Sequence, residues 1–337
     1  MSLLQKTLSF DDVLLIPKMS DIKSRKEVNL TSALKDKEYR LPIISSPMDT
    51  VTGPEMAKTM SSQGGLGILH RYNTIEQQVG MLSELENGST GAAIGVTGDY
   101  LERAAALVQN GVSLLCIDVA HGHHVSVKQA VESIKNKFGD DITLMAGNVA
   151  TAEAFTDLED WGTDVIRVGV GGGSICSTRI QTAHGIPTFH SVVLSAGVSK
   201  RAAIVADGGI RTAGDAVKCF AAGADFVMLG SLLAGTDESP GQVFQSNEGK
   251  QYKVYRGMAS EEAQIDWKGT ANSREGISTT VPYKGSVKDI LSMLDQNIRS
   301  GLSYSGARSL KEFRSKVEMV RQTPAGMRES FTHILSK

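Results

Sequence analysis

Short apolar runs recur along the chain, separated by turn residues and helical stretches. Eight of them, at residues 41–46, 65–69, 92–96, 114–119, 142–146, 165–168, 203–206 and 226–229, are mostly continuous in hydrophobic residues rather than alternating. That is the pattern of strands buried on both faces, as in a parallel sheet covered by helices. The segments between them carry helix signals. Thr74 with Gln77 and Asp99 with Glu102 have the spacing of capping boxes. The helix opened at Asp99 places Leu101, Ala104, Ala105 and Val108 on one face and stops at Gly111, and another opens at Thr212 and ends near Gly223. Eight strands alternating with helices predict an α/β fold, a closed (β/α)8 TIM barrel. An open doubly wound sheet is the alternative, but it calls for a dinucleotide fingerprint after its first strand. Here the first run leads into Ser46, Pro47, Met48 and Asp49, with no Gly-x-Gly-x-x-Gly.

The chain reads as a single barrel domain over residues 1–337, with additions at both ends. Residues 1–40 form an N-terminal extension, in which FDDVLLIP has the pattern of a short strand or a plug across one end. Residues 231–285 are too long for a simple β-to-α loop. Their polar pieces, SNEGKQ and KGTANSREGISTT, predict a C-terminal flap at approximately 250–285, part of it mobile. Residues 286–300 read as an amphipathic helix that closes the barrel.

Composition narrows the class. The chain is 41% hydrophobic and 21% charged, ordinary for a globular protein. Its 35 basic and 37 acidic residues give a net charge of −2, which argues against a nucleic-acid surface or a polybasic membrane patch. No apolar run reaches the roughly 18 residues of a membrane span, and acidic residues stand where a signal peptide stays apolar. Three cysteines are too few and too odd in number for a disulfide framework. These features predict a cytoplasmic protein.

In such a barrel the chemistry gathers at the carboxyl ends of the strands. Ser46 and Met48 follow the first run, His70 and Arg71 the second. Asp118 ends the fourth, ahead of His121, His123 and His124, and Asn148 follows the fifth. After the sixth comes GVGGGSICSTR, with Cys176 in a glycine-rich turn; after the seventh, Asp207, Gly208 and Gly209; after the eighth, Gly230 and Ser231. Gly208, Gly209, Gly230 and Ser231 suit a phosphate held by backbone N–H groups, though tight turns alone would also use them. Cys116, within a strand, and Cys219, on a helix, read as buried apolar residues. Cys176 reads as a nucleophile, with Arg179 as a nearby cation favouring the thiolate. The three histidines lack the spacing of a metal site and suit a loop that hydrogen-bonds a ligand. Trp267 and Tyr283 are packing or cover residues; the pattern leaves both open.

Taken together these residues resemble the inosine-monophosphate dehydrogenase / guanosine-monophosphate reductase family. The stretches that carry the resemblance are LSFDDVLLIP, SSPMDTVTG, IDVAHGH, AGNVAT, VGVGGGSICSTR, ADGGIR, GADFVMLGSLLAGTDESPG, YRGM and EGISTTVPYKG. They run in the family's order over nearly the whole chain. The resemblance implies a barrel, usually a homotetramer, that binds a purine nucleotide, GMP or IMP, and bonds its carbon 2 to a loop cysteine. By motif matching the nucleophile is Cys176, and Thr178 with Glu275 assists it. Ser46, Met48, Ser174, Asp207, Gly208, Gly209, Gly230, Ser231, Tyr255, Gly257 and Met258 are then the nucleotide-binding residues, with Asp207 on the ribose hydroxyls. Asp118, Asn148 and Arg167 face the nicotinamide cofactor. Backbone carbonyls of Gly171, Gly173 and Cys176 are the implied seat of a monovalent cation, potassium. The family's cysteine loop usually has Pro where Gly172 stands, and often Thr at Ser177.

Two reactions remain. The dehydrogenase oxidises IMP with NAD and hydrolyses the thioimidate, for which the family supplies an Arg-Tyr pair on a long flap. Residues 259–284 hold one arginine, Arg274, and one tyrosine, Tyr283, which are not adjacent. The pair of regulatory modules that dehydrogenases usually insert after strand two is also missing. The resemblance therefore implies a GMP reductase using NADPH. GMRESFTH, VPYKG and the pair His70 and Arg71 lean the other way, so an IMP dehydrogenase is the alternative; a nucleotide-binding barrel without catalysis is a remote third. Ser273 and Arg274 suit a cofactor 2′-phosphate or merely a solvated loop.

Overall fold

The eight apolar runs close into the expected (β/α)8 barrel. The computed structural model describes residue 4, residues 6–271 and residues 275–332. Its barrel strands are β1 (Ile43–Ser45), β2 (Leu66–Leu69), β3 (Gly91–Ile94), β4 (Leu114–Asp118), β5 (Thr143–Val149), β6 (Val165–Val168), β7 (Ala203–Asp207) and β8 (Phe226–Leu229). Each pairs in parallel with the next, and β8 closes on β1 with Val227 opposite Ile43 and Leu229 opposite Ser45. The covering helices are α1 (Pro54–Ser62), α2 (Ile75–Leu82), α3 (Tyr100–Gln109), α4 (Val125–Phe138), α5 (Ala152–Asp160), α6 (Thr188–Ala196), α7 (Ala213–Ala222) and α8 (Val287–Tyr304).

Continuous apolar strands are needed because both faces are buried. Ile44, Ile68, Cys116, Met145, Val205 and Met228 fill the barrel interior. Ile43, Leu69, Leu115, Ile117, Ile166 and Val227 meet the helices outside. Cys116 and Cys219 are buried, as expected, and burial pushes the Cys116 thiol up to about 12. No helix among the described residues is long and apolar enough to cross a membrane.

The helix starts divide. Thr74 accepts from the N–H of Gln77, whose side chain returns the bond, a complete capping box. Asp99 makes no cap; its carboxylate pairs with Arg103 at 3.0 Å instead. Arg103 is 5% exposed and also donates to Gln78, so the buried guanidinium claims the acid as counter-charge.

In the N-terminal extension FDDVLLIP contains the expected short strand, Val13–Leu15, which pairs antiparallel with Met319–Arg321. The plug is a hairpin, Ser32–Leu34 with Lys37–Tyr39, whose Leu34 and Tyr39 join the interior cluster. Tyr39 packs edge-on against Phe226, the first residue of β8, so the hairpin seals the amino-terminal end.

The long segment after β8 is also more ordered than its composition suggests. Phe244–Gln245, Gln251–Arg256 and Ser278–Pro282 form an antiparallel sheet, and Glu261–Lys268 forms a flap helix. SNEGK is the turn between the first two strands, and the following Gln251 opens the second. α8 runs four residues beyond the predicted 286–300 and buries Val287, Leu291, Leu294, Ile298 and Leu302.

Candidate active site

The carboxyl-terminal rim encloses a cavity of about 390 Å³. It is lined by Ser46, Met48, Ser174, Asp207, Gly208, Gly209, Gly230, Ser231, Tyr255, Gly257 and Met258, by Asp118, Asn148 and Arg167, and by Cys176, Thr178 and Glu275. Gly171 and Gly173 line it too. Every residue assigned to the site from the sequence therefore meets one space.

Cys176 follows β6 in the turn that precedes a short helix, Thr178–Thr182. Its thiol donates to Thr178 Oγ1 at 3.2 Å, and Thr178 donates to Glu275 Oε2 at 2.9 Å. Glu275 lies 97 residues further along the chain. It is brought there by backbone pairing: Ser177 N–H donates to Glu275 O, Ile277 N–H to Ile175 O, and Cys176 bridges Gly276. Arg179 is not the thiol's cation. Its guanidinium donates to the carbonyls of Val170 and Ile186, holding the loop rather than the sulfur. A side-chain pairing two residues away satisfies the thiol, whereas the longer Arg179 finds loop carbonyls left open by the glycine-rich turn.

Glycine is required in this loop by close approach. A Cβ on Gly169 would lie 1.9 Å from the Asp207 carbonyl oxygen, at φ +143°. A Cβ on Gly172 would lie 2.5 Å from Thr188 Oγ1. Thr188 thus occupies the space that a Pro side chain at 172 would need.

Beneath the loop sits an ion-pair network. Arg167 donates to Asp118 Oδ1 at 2.5 Å and to Asp207 Oδ2 at 2.9 Å. Asn148 donates to the same Asp207 oxygen and to Gly169 O, both at 2.8 Å. Burial by itself would lower the Arg167 pKa, but Asp207 and Asp118 hold it well above the usual arginine value. Asp207 thus spends one oxygen on the network and retains Oδ1. The sequence separated Asp207 from Asp118, Asn148 and Arg167; the structure joins all four.

At the opposite side, Tyr255 is buried and its hydroxyl is pushed up to about 12 by that burial. A Cβ on Gly230 would lie 3.0 Å from its oxygen and 3.1 Å from Ser46 Oγ. Among the described residues no protein acceptor meets the N–H groups of Gly208, Gly209 and Ser231. These are the properties of an anion cradle.

The remaining candidates fall outside. His123 pairs with Asp157 at 2.8 Å, His124 caps α4 by accepting from Ser126 N–H, and none of the three histidines lines the cavity. No group of metal-ligating side chains occurs among the described residues. Tyr283 donates to Asp237 Oδ1 at 2.5 Å and does not line the cavity. Trp267 does line it, as do Arg71 and Tyr72. Tyr72 went unnoticed in the sequence, because an aromatic beside a strand end looks like packing. Ser273 and Arg274 lie outside the described residues.

The profile of the family described as "IMP dehydrogenase / GMP reductase domain" matches residues 7–333. The chain is 34% identical to an inosine-5′-monophosphate dehydrogenase of Nitrosopumilus maritimus, covering 97% of this chain and 98% of that one. It is 32% identical to a GMP reductase of Leishmania major, covering 99% and 98%. These alignments extend over 467 and 484 positions against 337 residues here, so both relatives carry a large insertion. Lacking an insertion therefore does not separate reductases from dehydrogenases. A crystal structure of a GMP reductase variant from Trypanosoma brucei, in complex with guanosine 5′-monophosphate, superimposes with a TM-score of 0.93 at 31% identity, covering 98% of both chains.

Proposed function

The chain belongs to the IMP dehydrogenase / GMP reductase family of NAD(P)-dependent oxidoreductases acting on purine nucleotides, and from that premise we propose that it reduces GMP to IMP and ammonia with NADPH. The observation that carries this reading is the chain of hydrogen bonds from Cys176 through Thr178 to Glu275. Ammonia leaves only if it is protonated, and this relay provides the proton. Cys176 passes its proton through Thr178 to Glu275 and its sulfur attacks carbon 2 of the guanine. The relay then returns the proton to the departing 2-amino group, leaving a thioimidate on Cys176. Bound NADPH supplies the hydride that reduces carbon 2. Release of the C–S bond restores the cysteine and frees IMP.

The rest of the cavity supports the same assignment. Gly208, Gly209, Gly230 and Ser231 hold the phosphate, and Asp207 Oδ1 takes the ribose. Ser46, Met48, Ser174, Tyr255, Gly257 and Met258 frame the base and sugar. Asp118, Asn148 and Arg167 face the nicotinamide; both Asn148 amide hydrogens are engaged, which leaves its oxygen for the ligand. The carbonyls of Gly171, Gly173 and Cys176 offer oxygens for potassium, and the Gly173 oxygen keeps a lone pair beyond its bond from Cys176 N–H.

Oxidation of IMP with NAD is the second reading, favoured by the 34% identical dehydrogenase. It needs a residue that activates water, and Tyr283 is engaged with Asp237. The two are separated by mixing the protein with GMP and NADPH, and separately with IMP and NAD, while following nicotinamide absorbance. Loss of absorbance in the first mixture alone is expected; a gain in the second alone overturns the reductase. Cys176→Ala is expected to lower turnover at least about 10³-fold.

A further inference from the structure

One wall of the cavity is made of groups that the thioimidate chemistry does not use. Arg71 follows β2, and its guanidinium carbon lies 4.9 Å from the Tyr72 ring centre and 5.4 Å from that of Trp267. The two rings meet edge to face at 5.1 Å. Arg71 Nη2 donates to the main-chain carbonyl of Asp118 at 3.1 Å, while Arg167 holds the carboxylate of that same residue. Arg71 Nε is buried with no hydrogen-bond partner. Trp267 arrives from the flap helix, which is moored by Arg256 between Asp49 and Asp266.

The wall also has a far side. A second cavity, about 630 Å³, is lined by Asn73, Thr74, Asp99 and Arg103 among others. Tyr72 and Trp267 are the residues lining both cavities. The first cavity has the size of a small-molecule site, and the second adjoins it beyond Tyr72 and Trp267.

We propose that Trp267 is a positioning residue for the nicotinamide cofactor. Its ring edges the passage between the two cavities and, by stacking on Arg71, fixes the main chain of Asp118 against which the nicotinamide lies. This rests on the reading that the Asp118 end of the cavity takes the nicotinamide. Lys268 Nζ also lies 4.4 Å from the Trp267 ring centre, so the ring is held between two cations at the edge of the cavity. Trp267 is half-buried on a flap helix, so its replacement spares the barrel core.

Trp267→Ala is expected to raise the cofactor KM about three- to tenfold, with the nucleotide KM within about twofold. Trp267→Tyr is expected to recover most of the loss. An unchanged cofactor KM, or an equal rise in both constants, overturns the proposal. Wild-type turnover of neither substrate pair would instead sink the reaction proposed above. A second measurement is independent of turnover. The chain has two tryptophans, so Trp161→Phe leaves Trp267 as the sole emitter. Titration of that variant with NADP⁺ and with NAD⁺ is expected to give a saturable change in emission for one of them, and no change with either overturns the proposal.

Discussion

Thr178 connects two groups that could not otherwise exchange a proton. Its single oxygen accepts from Cys176 and donates to Glu275, so removing either end of the relay should act on the same step. Glu275→Gln is expected to lower kcat about 10²-fold or more, with the nucleotide KM little changed. Thr178→Val combined with it should cost little further, because groups that work as one unit are not additive. Steady-state kinetics on the two single variants and the double variant measure this. At this scale the sequence was informative where a motif fixed the geometry. Cys176 and Thr178 are neighbours in any conformation of the turn, whereas Arg179, one residue further, faces the carbonyls of Val170 and Ile186. Nor did adjacency say that Asp207 and Asp118 share Arg167.

Helix α8 shows how tightly elements must fit around the barrel. A Cβ on its Gly301 would come within 2.7 Å of Val217 on α7. Alanine favours a helix over glycine by about 1 kcal/mol, yet overpacking of a buried contact costs about 1–3 kcal/mol. Gly301→Ala is therefore expected to destabilise the protein, and Val217→Ala to offset that in the double variant. Urea unfolding of the four proteins of this cycle gives the coupling directly. The barrel strands were legible because burial on both faces leaves an unmistakable apolar run. The plug hairpin was not. Its strands are three residues each, too short for an alternation to register, and its turn places Lys35 at φ 52° without the glycine or asparagine that signals such a hairpin. The flap sheet was missed for a related reason: its strands are half exposed and polar, so nothing in their composition separates them from a loop.

Across the whole molecule, stability and chemistry occupy opposite ends of the barrel. The hairpin of Leu34 and Tyr39 seals the amino-terminal end, while the cavity opens at the other. Tyr39→Ala is expected to cost about 3–5 kcal/mol of unfolding free energy while leaving both KM values unchanged. Denaturant unfolding and steady-state assays on the same preparation check it; a shift in KM would mean that the two ends communicate. The pairing of residues 275–277 with the cysteine loop also has a consequence in time. Thr178 and Glu275 are 97 residues apart, so at roughly 5–20 residues per second the ribosome delivers the acid about 5–20 s after the thiol. By then β7 and β8 have been made and the barrel's strands are complete. A nascent chain thus carries its nucleophile through nearly a third of its synthesis without the partner that would put it to use, and the order of translation keeps the thiol idle until the fold around it can be finished.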